Sequence, residues 1–143
     1  MQSRYAAVVL YGMIILACMA GTAGAGTDRQ LLGTWQLTAS VVDDQGNFCP
    51  FIPQQMEFTS QGMVIMAGMP VGPIPYRADL TRDELGAVYA RLPELKGAKI
   101  IVMRPSPQIE WVNSPMVYGY TVQKDELELI LAGWPKAVFR RMK

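Results

Sequence analysis

The stretch Gly33-Thr34-Trp35-Gln36-Leu37-Thr38-Ala39-Ser40-Val41 decides the fold class of this 143-residue chain. From Thr34 onward, polar and apolar side chains take alternate positions. Alternation at every second residue is typical of a β-strand with one buried face, because successive side chains of a strand point to opposite sides. The stretch therefore predicts a strand over residues 33–41, with Trp35 on the buried face.

Strand signals recur along the rest of the chain as short alternating or β-branched runs bounded by turn residues. They predict strands at 54–59, 63–67, 98–103, 118–122, 127–131 and 137–142, with a further short one at 109–112. Residues 68–75 contain three prolines and two glycines. Because proline has no N–H to donate to a sheet, this segment predicts a loop, an edge or a flap.

One segment has the period of a helix. Apolar residues recur at i, i+3, i+4 and i+7, at Leu85, Val88, Tyr89 and Leu92. Thr81 and Glu84 have the spacing of a capping box, and Pro93 ends the pattern. The chain therefore predicts a mainly β fold of about seven or eight strands with one short inserted helix. Short connections favour an antiparallel barrel or sandwich in a single domain, residues 26–143.

Several pieces of the chain, taken in order, resemble small bacterial lipocalin-like proteins. They are Leu31-Leu32-Gly33-Thr34-Trp35-Gln36-Leu37, Phe58-Thr59-Ser60-Gln61-Gly62, the run 120–129 and Val138-Phe139-Arg140-Arg141. The resemblance implies an antiparallel barrel that binds a small apolar ligand. It also implies that Trp35, in its Gly33-x-Trp motif, closes one barrel end beneath Arg140 or Arg141. A guanidinium over an indole face contributes about 0.5 to 2 kcal/mol.

Residues 1–25 are typical of a secretory signal peptide. Arg4 precedes an apolar run over residues 5–20, and Ala23-Gly24-Ala25 resembles a cleavage site. We expect cleavage near Ala25 and a periplasmic or secreted protein. Two alternatives place the protein on a membrane: an uncleaved anchor, or lipidation at Cys18.

The charge balance bears on the partner. The chain has 13 basic and 12 acidic side chains, and only Arg4 falls in residues 1–25. The rest carries 12 of each sign and no net charge, so it lacks the basic footprint of a nucleic-acid-binding protein.

The composition also argues against catalysis. The chain has no histidine, the usual general base of hydrolases and the commonest zinc ligand. After the signal, Cys49 is the only cysteine, and no basic residue lies within four positions of it. We expect a buried, unreactive thiol rather than a nucleophile or an intermolecular disulfide. The sequence therefore predicts no enzyme, no cofactor and no metal site.

Met63, Met66 and Met69 form an array of soft ligands that suits Cu(I). On a strand, however, a spacing of three places Met66 on the face opposite Met63 and Met69. We therefore favour methionines that fill the core or line an apolar pocket.

Two functional hypotheses follow. The first is a binding protein for a small apolar ligand, with lining residues Met56, Phe58, Met66, Tyr118 and Tyr120. The second is an envelope accessory, inhibitor or immunity-type protein that contacts a protein partner. In that case the contact surface is formed by the apolar segments 49–53 and 68–75.

Overall fold

A computed structural model describes residues 28–143 of the chain. The predicted signal peptide, its cleavage point near Ala25 and Cys18 all lie outside the described residues.

Eight antiparallel strands form a closed barrel in which each strand pairs with its neighbours in the chain and the last pairs with the first. The strands are β1 (Gly33–Leu37), β2 (Gln55–Phe58), β3 (Met63–Ala67), β4 (Ile74–Arg77), β5 (Lys99–Met103), β6 (Met116–Gln123), β7 (Glu126–Ile130) and β8 (Ala137–Arg141). A single α-helix, α1 (Arg82–Arg91), lies between β4 and β5. The predicted fold class, a mainly β antiparallel barrel of seven or eight strands with one inserted helix, is confirmed.

This up-and-down order places the connections alternately at the two barrel ends. Segments 38–54, 68–73, 104–115 and 131–136 meet at one end, which we name the loop end. The opposite end, the floor, carries residues 28–32 and the turns 59–62 and 124–125, with the 78–98 connection and its helix beside it.

Inward-facing side chains of neighbouring strands pack against one another in the barrel interior. Trp35 lies opposite Met56, and Met56 lies opposite Met66 on the next strand. Phe58 meets Tyr76 edge to face, with ring centroids 5.0 Å apart. Such aromatic pairs add about 0.5 to 1.5 kcal/mol to the burial of their surface. The alternating positions of the sequence thus become one continuous core.

Helix α1 covers the outer face of β5 and β6. Its capping box is present: Glu84 N donates to Thr81 Oγ1, and Thr81 N donates to Glu84 Oε1. Val88 is fully buried against Ile100 and Val117 in a second, smaller core. Within residues 28–143, no helix has the length and apolarity that a membrane crossing requires.

Three local predictions are corrected by the structure. The first strand ends at Leu37 instead of Val41, since the chain then leaves the sheet and Ala39 and Ser40 become exposed. Residues 74 and 75, the end of the segment predicted to be a loop, an edge or a flap, belong to strand β4, which is paired on both sides. Pro75 has no N–H to donate, but its carbonyl accepts a hydrogen bond from Arg104 N at 2.9 Å.

The third correction concerns residues 109–112, which do not form a strand. The short 3-10 helix Trp111–Asn113 occupies this place. The Trp111 ring lies 4.6 Å from the guanidinium of Arg104 and 5.6 Å from that of Arg77. These two cation–π contacts, with hydrogen bonds from Arg91 to Val112 O and Ser114 O, hold this segment in place of strand pairing.

Candidate functional site

The floor is closed by an arginine stacked on the buried tryptophan of β1. The Arg141 guanidinium lies 4.3 Å from the centre of the Trp35 ring. It donates to Leu32 O at 2.6 Å and to Gln30 O at 2.8 Å, while Trp35 Nε1 donates to Leu31 O at 2.8 Å. These bonds tie the segment before β1 across the barrel end.

Gly33 is required where the chain enters β1. Its φ is +116°, a backbone conformation that side-chain-bearing residues rarely adopt. A Cβ at this position would also lie 3.2 Å from Arg141 Nη1. Of the two arginines named from the sequence, Arg140 does not reach the floor. It alternates outward on β8, opposite Gln36 and Glu126, because Phe139 and Arg141 take the inward positions.

The five residues expected to line a ligand cavity are instead packed in the core. Met56, Phe58, Met66, Tyr118 and Tyr120 are all buried and belong to one continuous hydrophobic cluster. The structure therefore brings the five together as filling of the barrel, and Tyr120 also contributes to the wall of a cleft at the floor.

The loop end of the interior is covered by the segment that follows Cys49. Tyr118 Oη donates to Phe51 O at 2.8 Å. Cys49 is buried and Ile52 packs against the core beside it. Burial raises the pKa of both the Cys49 thiol and the Tyr118 hydroxyl, so each is held in its neutral, weakly nucleophilic form.

An apolar cleft of about 220 Å³ opens at the loop end, beside this cover. Three separate connections supply its walls. Every lining residue is apolar: Pro50, Phe51, Met69, Val71, Ile74, Pro105, Pro115 and Met116. The segments 49–53 and 68–75, singled out in the sequence, form two of the walls.

Large apolar side chains are also exposed on the connections that form the loop end. Phe48 is 70% exposed and Val71 is 43% exposed. Val42, directly opposite Phe48 in a β-bridge, is also exposed. No charged residue occurs in segments 48–54 or 68–75. We name this region, formed by Val42, Phe48 and the cleft residues, the loop-end surface.

The third wall of the cleft was missed by the sequence analysis. Pro105 and Pro115 come from the β5–β6 connection, where a strand was predicted at 109–112, and Met116 is the first residue of β6. The pair Pro105 and Pro107 was the available signal, because closely spaced prolines favour a loop over a strand.

The methionine array does not converge on one point. Met66 faces the interior, Met63 lies on the opposite face of β3, and Met69 is in the loop beyond it. Among residues 28–143, no group of three or more histidine, cysteine or carboxylate side chains is placed to hold a metal ion.

No protein family model, curated protein or solved structure matches this chain. Its class is therefore described by its own geometry. It is a small closed antiparallel barrel with a packed interior and an apolar cleft among its loops.

Proposed function

We propose that this protein is a non-catalytic binding protein that recognises a protein partner through the loop-end surface. The observation that carries the proposal is the contrast between the two places where an apolar group could bind. The barrel interior is filled by its own side chains, whereas the loop end exposes apolar side chains around an all-apolar cleft.

The chemistry of this surface favours a protein over a smaller ligand. Its exposed side chains, Phe48 among them, extend beyond the cleft itself. The central part of protein interfaces is poor in charged residues and rich in aromatic residues and methionine. We expect the partner to insert one large apolar side chain into the cleft, with Phe48 and Val71 packing around it.

The sequence pattern of residues 1–25 supports an encounter outside the cytoplasm, in the periplasm or after secretion. The partner is then an envelope or extracellular protein. The balanced charge of residues 26–143 is consistent with recognition by shape and apolar burial rather than by long-range electrostatic attraction.

The test is site-specific photo-cross-linking in the native cells, followed by binding to the purified partner. A photoreactive residue at position 48 or 71 should capture the same protein. At position 65 it should not, because Ile65 is 41% exposed, like Val71, but lies on the barrel wall. Val71→Asp should weaken binding of the purified partner at least tenfold, and Ile65→Asp should leave it unchanged. Capture of the same proteins from all three positions would contradict the proposal.

A second candidate function is binding of a small apolar molecule in the same cleft, and its size is the observation in favour. A buried apolar cavity of about 150 Å³ is enough to hold benzene, and this cleft measures about 220 Å³. Toluene titrated into methyl-labelled protein should then shift the Met69 and Met116 signals. Met142, exposed near the chain end, is the matched control and should not move. Shifts with no cross-linked partner would favour this candidate.

A further inference from the structure

A second cleft lies at the floor, at the opposite end of the barrel from the loop-end surface. It measures about 550 Å³, within the range of about 300 to 1,000 Å³ typical of small-molecule sites. It opens between the segment at Asp28, the start of β5 and helix α1. It is separate from the loop-end surface, and it borders the barrel interior at Tyr120, a residue of the core.

Apolar and polar groups line this cleft in similar proportion. Leu80 and Leu85 come from the connection before the helix and from the helix itself, and Ile100 comes from the outer face of β5. Ala78 and Ala98 leave room between them. Tyr89, also in the wall, has its hydroxyl bonded to Ala98 O at 2.6 Å, so it offers mainly its ring.

The polar groups gather at one side of the cleft and carry an excess of positive charge. They are Asp28, Arg29, Lys99 and the hydroxyl of Tyr120. The Asp28 carboxylate is already engaged: Oδ2 accepts from Tyr120 Oη at 2.9 Å, and Oδ1 accepts from Gln30 N at 3.0 Å. Two cations therefore face one carboxylate whose two oxygens are both hydrogen-bonded.

Both cations have N–H groups that make no hydrogen bond within residues 28–143. Lys99 Nζ lies 4.0 Å from Asp28 Oδ2, beyond hydrogen-bond distance, and the lysine side chain is 66% exposed. The Arg29 guanidinium makes no hydrogen bond or ion pair to any of residues 28–143. A ligand with one negative group could reach Lys99 and Arg29 at the rim, while an apolar tail covers Leu80, Leu85 and Ile100.

We infer that this floor cleft is a binding site for an amphiphile with a single anionic head and an apolar tail, such as a fatty-acid carboxylate. The apolar part of the wall accounts for the tail, and the one positive charge in excess of the Asp28 carboxylate accounts for the head. This site is independent of the loop-end surface, so each proposal can fail without the other.

The test is calorimetric titration of the full chain with three probes, each with a dodecyl or dodecanoyl chain and a different head group. Dodecanoate should bind, dodecanol should bind at least tenfold more weakly, and dodecyltrimethylammonium should bind more weakly still. Lys99→Gln and Arg29→Gln should each lower the affinity for dodecanoate at least fivefold. The matched control is Lys136→Gln, a lysine with 52% exposure that lies beyond β7 at the loop end.

Thermal unfolding of each variant should match that of the parent, since both altered cations are exposed. Val71→Asp, which damages the loop-end surface, should leave dodecanoate binding intact. Equal affinity for dodecanoate and dodecanol would overturn the anionic-head assignment. An equal loss of dodecanoate affinity in Lys99→Gln and Lys136→Gln would overturn the assignment of the site to the floor cleft. The absence of any dodecanoate binding would overturn it as well.

Discussion

At the residue scale, Arg141 does the most to close the barrel. One guanidinium stacks on Trp35 and satisfies two backbone carbonyls of the segment that crosses the floor. Its ion pair with Asp125, at 3.5 Å, lies at the surface and contributes little. Neighbouring Arg140 has the same chemistry but points outward, so strand alternation alone separates their roles.

We predict that Arg141→Met lowers the free energy of unfolding by about 2 to 3 kcal/mol. The cation–π contact is worth about 0.5 to 2 kcal/mol, and each carbonyl left without a donor costs about 1 kcal/mol or more. Urea denaturation measures the change. Arg140→Met is the matched control and should stay within about 0.5 kcal/mol of the parent, as surface substitutions usually do. An equal decrease in the free energy of unfolding in the two variants would show that stacking of Arg141 on Trp35 does not stabilise the fold.

At the element scale, one carboxylate links helix α1 to the barrel in addition to the apolar packing of Val88. Glu84 completes the capping box with Thr81 and also forms a bidentate ion pair with Arg77 of β4. Arg77 Nη1 and Nη2 donate to Glu84 Oε2 and Oε1 at 2.8 and 2.9 Å. The hydrogen bonds from Arg77 are the main reason that the pKa of Glu84 falls from its ordinary 4.5 to about 2. The sequence predicted the capping box but not the bond to Arg77, because it predicted no strand at residues 74–77.

The depressed pKa gives a pH-dependent prediction with a definite sign. A carboxyl group whose pKa is lower in the folded state stabilises the protein above its unfolded pKa, and that stabilisation is lost as the pH falls toward the folded pKa. Glu84→Gln should therefore cost about 1 kcal/mol at pH 7, and the difference from the parent should shrink between pH 4.5 and pH 2. Chemical denaturation at a series of pH values measures it. With Arg77→Met as the background, the same substitution should show little pH dependence. If the difference in unfolding free energy between the parent and Glu84→Gln stays constant down to pH 2, the pair with Arg77 does not lower the pKa of Glu84.

At the scale of the whole molecule, closure makes the fold a single cooperative unit. Every strand is paired on both sides, and β8 pairs with β1, so the sheet of residues 33–141 has no free edge to unravel. The interior forms one continuous cluster that reaches from Leu31 at the floor to Cys49 at the loop end. Loss of packing at either end therefore affects the same core.

We predict one unfolding transition for this barrel. Far-ultraviolet circular dichroism, which reports the sheet, and tryptophan fluorescence, to which buried Trp35 contributes, should give the same urea midpoint. Arg141→Met should shift both midpoints equally. Two separated midpoints, in the parent or in the variant, would mean that the floor and the rest of the barrel unfold independently.

The sequence by itself determined the elements whose signals are local. A period of two placed β1 and the β6–β7 pair, and a period of 3.6 with a capping box placed α1. These signals depend on which face of a single element is buried, so one stretch of chain contains all of the information.

Only the tertiary structure decided the rest, because it depends on residues that are distant in the chain. The strand at Ile74–Arg77 forms because β3 and β5 offer it partners on both sides, despite its proline. At the loop end, Tyr118 Oη donates a hydrogen bond to Phe51 O, 67 residues away in the chain. The segment that contains Phe51 therefore covers the side chains that the sequence predicted to line a cavity. Both clefts likewise form between segments that barrel closure brings together, so the periodicity of a single segment does not predict them.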